Sequence, residues 1–269
     1  MKNMITMLLS CLIWTLQAQE STLSEGLVLH ADFEGDASDR SANRYNGVLH
    51  GATITNDAIV GSHAVYFDGV DNYVAFPENQ IYFSGDYAIS VWCKTESLAL
   101  WSRILDFNQD EPMSGNAVTW LIGRPATGTE GNLWLDQWVI HNGIAVESIL
   151  NQRATPADAY LNYNIAANEW LHLVVVYDSV AENPLGVQKN TKDEDVPLEG
   201  VVTLYVNGEK KGVNIHCLKP QPRPTVANWL GRSRFAPDPY YKGWMDDFRI
   251  YNRVLTETEI HDLYQLRNK

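Results

Sequence analysis

From Leu27 onward the chain alternates: Leu27, Leu29, Ala31 and Phe33 fall on one side of an extended segment, and His30, Asp32 and Glu34 on the other. Alternation with a period of two marks a strand buried on one face. Short runs of alternating or continuous apolar residues recur at 64–67, 73–76, 87–94, 103–107, 118–122, 133–140, 171–177, 201–206, 226–231 and 244–251, with turn residues between them. The pattern predicts a mostly β chain. Between Tyr205-Val206 and Glu209-Lys210, the pair Asn207-Gly208 predicts a two-residue type I′ hairpin turn, because both residues tolerate positive φ.

One segment has a helical period. Thr256 and Glu259 carry the spacing of a capping box, and Ile260, Leu263 and Tyr264 follow at helical intervals. A short terminal helix packed back on the sheets is expected there. Four stretches, 108–117, 124–131, 147–169 and 179–200, lack either period and read as loops. The last is polar and of mixed charge through 189–195, which predicts a solvated insertion. No repeat or shift of composition divides 19–269, so a single domain with its core at about 25–265 is expected.

The chain has 269 residues, 45% of them apolar, enough for a substantial core. With 20 Lys+Arg against 33 Asp+Glu, its net charge of −13 repels phosphate backbones, so nucleic acid is not an expected partner. The head of the chain differs from the rest. Lys2, an apolar run at 4–16 and a small-residue site ending at Ala18 predict a signal peptide over 1–18, and therefore a secreted or cell-envelope location, periplasm or cell surface. No later run reaches the length of a transmembrane span. Cys11 belongs to that leader, which leaves Cys93 and Cys217 either to pair or to sit as separate buried thiols.

Several motifs then fall in a familiar order. They are Phe33-Glu34-Gly35 with 39–47, the run 65–74 containing Phe67-Asp68-Gly69, and Tyr87-Ala88-Ile89-Ser90-Val91-Trp92. Further on come Glu169-Trp170-Leu171-His172, 204–208, 230–233, and the run 243–253 containing Asp246-Asp247-Phe248-Arg249-Ile250-Tyr251. In order and spacing this resembles the laminin G-like, pentraxin-type family of the concanavalin A-like lectin and glucanase superfamily. The resemblance implies a two-sheet antiparallel jelly-roll sandwich, with one sheet curved into a concave groove. Members include lectins, adhesion modules, glycan hydrolases and polysaccharide lyases, so the activity has to come from the site.

In similar folds, glucanases among them, a structural calcium is held where the first and last strands meet, by backbone carbonyls and an aspartate just before an aromatic-Arg-x-Tyr strand. Asp246 matches that aspartate here, and Asp32, Glu34 and Asp68 are the expected supporting oxygens. Such hard oxygen donors suit calcium. A glycan-binding face is the second candidate. Trp134, Trp138, His141, Arg124, Trp229, Arg232 and Tyr241 lie in or beside predicted strands, and flat rings stack on sugar C–H faces while arginines read hydroxyls or carboxylates.

Catalysis has less support. No strand carries the Glu-x-Asp-x-x-Glu arrangement of the retaining glucanases this fold resembles. Asn214-Ile215-His216 and Tyr240-Tyr241-Lys242 are similar to motifs of jelly-roll alginate lyases, a resemblance that implies His216 or Tyr241 taking the proton α to a uronate carboxylate, but the accompanying Arg-x-Glu-x-Arg strand is missing. The expected function is a non-catalytic carbohydrate-binding or adhesion module with a structural calcium site, its partner a glycan or an extracellular protein. The alternative is a polysaccharide lyase or glycoside hydrolase working in the groove.

Overall fold

A computed structural model describes residues 22–109, 117–123, 131–141, 144–149, 163–215, 217–218, 220 and 223–267. Two antiparallel sheets face each other. The first runs in the order β16 (Glu209–Asn214), β15 (Val201–Val206), β12 (Leu171–Asp178), β6 (Tyr87–Thr95), β18 (Lys242–Tyr251), β4 (Ala64–Asp68) and β3 (Thr53–Thr55), with β1 (Leu27–Ala31) also on β18. The second runs β10 (Ile144–Ile149), β9 (Gly131–His141), β8 (Ala117–Gly123), β7 (Arg103–Asn108), β17 (Ala227–Leu230), β5 (Tyr73–Phe76) and β2 (Val48–His50), with β11 (Asn164–Ile165) on β9. This is the jelly-roll sandwich that the family resemblance implies, in the mostly β chain that the alternation predicts.

The core follows from that alternation. Ile89, Val91 and Cys93 of β6 and Leu171, Leu173 and Val175 of β12 face inward from the first sheet. Val74 and Phe76 of β5, Leu105 and Phe107 of β7, and Leu133 and Leu135 of β9 meet them from the second. Phe248 of β18 bridges the layers, its ring 5.7 Å from that of Phe76 and 5.9 Å from that of Phe107. Each such side chain contributes about 1.5–3 kcal/mol by leaving water. Cys93 and Cys217 are both free thiols in this core, and Cys217 Sγ donates to the Asn214 carbonyl at 3.1 Å.

The local signals hold. Asn207 and Gly208 have φ of 53° and 78°, as a type I′ turn requires, and join β15 to β16. The C-terminal helix (Glu257–Gln265) starts at a reciprocal capping box, with Thr256 accepting from the Glu259 amide. Its Ile260 and Leu263 pack with Ala88, Val174 and Val176 on the first sheet's outer face. The stretch 179–200, expected to be only a solvated insertion, instead contains the hairpin β13 (Val187–Lys189) and β14 (Asp195–Pro197). Val196 and Leu198 bury a small cluster there with Leu218 and Val146, too few residues to show a period in the sequence.

Among the described residues no helix is long and apolar enough to cross a membrane. The predicted leader lies outside those residues.

Candidate ligand-binding face

Residues that point away from the core on the second sheet form its outer face, and strand register decides which of them meet. Val48, Ala75, Trp229, Asp106 and Thr119 lie in one row across β2, β5, β17, β7 and β8. Beside that row, His50 pairs with Tyr73, and their rings stack at 4.3 Å with 3° between planes. Tyr73 also has Trp229 at 6.2 Å, edge-on, and Tyr240 at 6.5 Å. The Arg232 guanidinium lies 4.2 Å from the centre of the Trp229 ring and 4.6 Å from that of Tyr73. Tyr73, Trp229, Arg232 and Tyr240 are half-buried and His50 is exposed, so solvent reaches the whole group.

Polar anchors hold this face in shape. Asp106 is fully buried; Oδ1 accepts from the Asn108 amide group and the Thr119 hydroxyl, and Oδ2 accepts from the Arg234 backbone N–H at 2.9 Å. That last bond ties the connection between β17 and β18 down onto the sheet. Arg103 is bound to Asp238 at 3.1 Å, and Phe235 sits beside the guanidinium groups of Arg103 and Arg234.

Farther along the same sheet, Arg103, Leu121 and Trp134 are in register across β7, β8 and β9. Trp134 is only 8% exposed, because Trp101 covers it edge-to-face at 5.0 Å. Trp101 itself is 36% exposed and holds φ at 73°, a conformation that a bulky residue seldom adopts. Hydrogen bonds from its N–H to the Ile122 carbonyl and from Arg103 to its own carbonyl hold it there. β17 and β9 are three strand spacings, about 14 Å, apart across the sheet, and Trp134 is in register with Arg103, three residues along β7 from the partner of Trp229.

The predicted ligand residues therefore divide. Trp229 and Arg232 come together, and Trp134 lies beneath Trp101. Tyr241 is corrected: it is fully buried, edge-on to Phe67 at 5.8 Å, with its hydroxyl on the Trp244 carbonyl. Its ring belongs to the core and not to the ligand face, and burial pushes its phenol well above the usual value. Trp138 and His141 occupy β9 opposite Ala117 and Ile144, and their side chains lie outside the described part. Arg124 and His216 lie outside the described residues. Tyr73, His50 and Trp101 went unpredicted. For Tyr73 the signal was present, since Val74 and Phe76 point inward and place it on the other side of β5.

Three of the four acidic candidates, Asp32, Glu34 and Asp246, sit at the junction of first and last strands. Ala31 of β1 is opposite Phe248 of β18, so the two ends of the domain lie side by side, with Asp32 one residue beyond that pair. Fully buried Asp246 accepts the Ile59 and Val60 amides on Oδ2 at 3.0 and 2.9 Å. Its Oδ1 is buried with no hydrogen-bond partner among the described residues, and burial pushes the carboxyl up to about 7. Glu34 takes two further amides of the same segment, Ser62 and His63, beyond Gly61. Thus two carboxylates from opposite ends of the chain grip one loop, a contact that neither motif alone predicts. Asp32 is engaged by Arg40 at 2.9 Å.

Asp68 is corrected: it pairs with Lys242, four residues and about 13 Å along β18 from Asp246, and caps the Val70 amide. Among the described residues, no three His, Cys, Asp or Glu side chains converge as a metal cluster. A cation here would take Asp246 Oδ1 and otherwise backbone carbonyls. The buried, unpartnered oxygen fits that role.

Beside Asp246, Asp247 binds Arg249 and His30, the latter at 2.8 Å. The Arg249 guanidinium and the His30 ring hold its carboxyl well below the usual range, although burial opposes them.

The solved structures most like this fold include domain 4 of AbnA, a GH43 extracellular arabinanase from Geobacillus stearothermophilus, in complex with arabinotriose. It is 20% identical with a TM-score of 0.60, over 89% of this chain and 98% of that one. The binding domain of Paraclostridial Mosquitocidal Protein 1 is 21% identical at a TM-score of 0.54, over 90% of this chain and 52% of that one. The botulinum neurotoxin serotype G binding domain is 14% identical at 0.56, over 89% and 51%. At these identities the likeness shows the fold. A comparison with curated protein sequences finds no match. Residues 68–261 match the family Laminin_G_3, described as concanavalin A-like lectin/glucanases superfamily. Motifs, sheet order and family match agree, and this chain belongs to the Laminin_G_3 family of the concanavalin A-like superfamily.

Proposed function

We propose that this protein is an exported, non-catalytic carbohydrate-binding module whose ligand lies on the outer face of the second sheet. One observation carries the reading: four solvent-reachable rings, His50, Tyr73, Trp229 and Tyr240, share that face with Arg232. Rings offer apolar faces and edges to sugar C–H groups, and a guanidinium offers in-plane donors to sugar oxygens. Trp101, projecting over Trp134, extends the apolar surface along the sheet. That one structural neighbour is described in complex with arabinotriose is in keeping with this reading. Of the two residues that the lyase alternative would use, Tyr241 is in the core and His216 lies outside the described residues.

A calcium ion bound to Asp246 Oδ1 and nearby carbonyls would join the ends of the domain and neutralise a carboxylate that burial otherwise protonates. Its role is structural.

The test is a screen of soluble polysaccharides by affinity electrophoresis, using the wild-type chain and Trp229→Ala. Retardation of the wild type by at least one polysaccharide, lost or cut about tenfold in the variant, is the expected result. Retardation that Trp229→Ala leaves unchanged would place the ligand elsewhere.

A further inference from the structure

The rings that mark the face also limit how it can bind. His50 and Arg232 both lie against Tyr73, at 4.3 and 4.6 Å, and Arg232 covers Trp229 as well. Arg232 thus takes ring face at both Tyr73 and Trp229, and His50 takes more of Tyr73, which limits what is left for a sugar to stack on. What remains open is the guanidinium edge. Stacking engages the planar faces of an arginine and leaves its in-plane N–H groups free to form a fork that matches a carboxylate or sulfate.

The charge pattern points the same way. Arg103 is matched by Asp238, Arg40 by Asp32, Arg249 by Asp247 and Arg253 by Glu259. Arg232, like Arg44, Arg223 and Arg267, has no ion-pair partner among the described residues, but it alone of these four is set against the aromatic face. In a chain with 33 acidic and 20 basic residues, a guanidinium with no ion-pair partner among the described residues, set among rings that lower its hydration, is a ready anion receptor.

Resting on the carbohydrate-binding reading, we infer that the ligand is an anionic glycan and that Arg232 contacts its carboxylate or sulfate. A neutral chain would leave the guanidinium edge to water. An anionic one forms charge-assisted hydrogen bonds there, and the protein's overall negative charge disfavours binding of polyanions at other places.

Matched polysaccharide pairs test this with the full chain: polygalacturonate against its methyl ester, and dextran sulfate against dextran. Affinity is measured by calorimetry at low and high salt for wild type, Arg232→Gln and Arg232→Lys, with thermal melts to confirm folding. The expected result is that the charged member of at least one pair binds tenfold or more tightly than its neutral partner. Arg232→Gln removes that preference, and Arg232→Lys restores it only in part, since an ammonium lacks the fork. Preference within the first pair identifies a carboxylate, and within the second a sulfate. Equal binding of neutral and charged members, or a preference that survives Arg232→Gln, overturns the inference and leaves the glycan reading standing. No binding to any of the four overturns the inference, and the glycan reading then stands or falls by the polysaccharide screen.

Discussion

Asp39 shows how much organisation one side chain can supply. It is fully buried and accepts four hydrogen bonds, from the amides of His30, Ser41 and Tyr45 and from the Ser41 hydroxyl, all between 2.7 and 2.9 Å. Those bonds hold the 39–47 loop against β1, the strand that leads to the acidic junction. Asp39→Ala leaves several buried donors without an acceptor, and such orphans cost about 1–3 kcal/mol each. Urea denaturation should show a loss of at least about 3 kcal/mol; a change below about 1 kcal/mol would mean that water replaces the carboxylate. This role was visible in the sequence only as an aspartate opening a polar turn, because its partners are backbone groups, which carry no residue signature.

At the scale of elements, the helix and the hairpin were legible from local chemistry alone. A capping box and an Asn-Gly pair act over a few residues, and both are found where their spacing places them. Thr256→Ala should cost about 1 kcal/mol by removing the acceptor for the Glu259 amide. In a domain of this size that lowers the melting temperature by about 2–4 °C in a thermal scan; an unchanged melt would show that Arg253, bound to Glu259 through both of its terminal nitrogens, holds the helix start by itself. Long strands were legible for the same reason, since β6 and β12 run long enough for an apolar pattern to stand out. The three-residue strands β2, β3, β13 and β14 were not, because alternation over three positions is no pattern. Which aromatics share a face was also beyond local signals: Trp229 meets Tyr73 through register between strands about 150 residues apart in sequence.

For the whole molecule, the acidic junction predicts a dependence on pH and calcium. Without a cation, Asp246 is pushed up to about 7 in the folded chain, whereas in the unfolded chain it titrates near 3.9. Between those values the folded state holds a proton that the unfolded state lacks. Its contribution to stability is therefore complete below about pH 4 and is lost as pH rises through about 7, with an upper bound of roughly 4 kcal/mol. In the presence of a chelator, urea melts should show stability falling over that window, and Asp246→Asn should abolish the fall. Added calcium should restore stability at the upper end for the wild type only. The same slope with and without calcium would remove the ion from the account while leaving the Asp246 burial intact.

The central claim is that ligand is bound on the second sheet's outer face, and hydrogen–deuterium exchange with the polysaccharide selected by the binding screen tests it most directly. The account predicts slower exchange in β5, β17 and the 231–241 connection when the glycan is present, with β12 and the C-terminal helix unchanged. Protection confined to the first sheet or to that helix would contradict it.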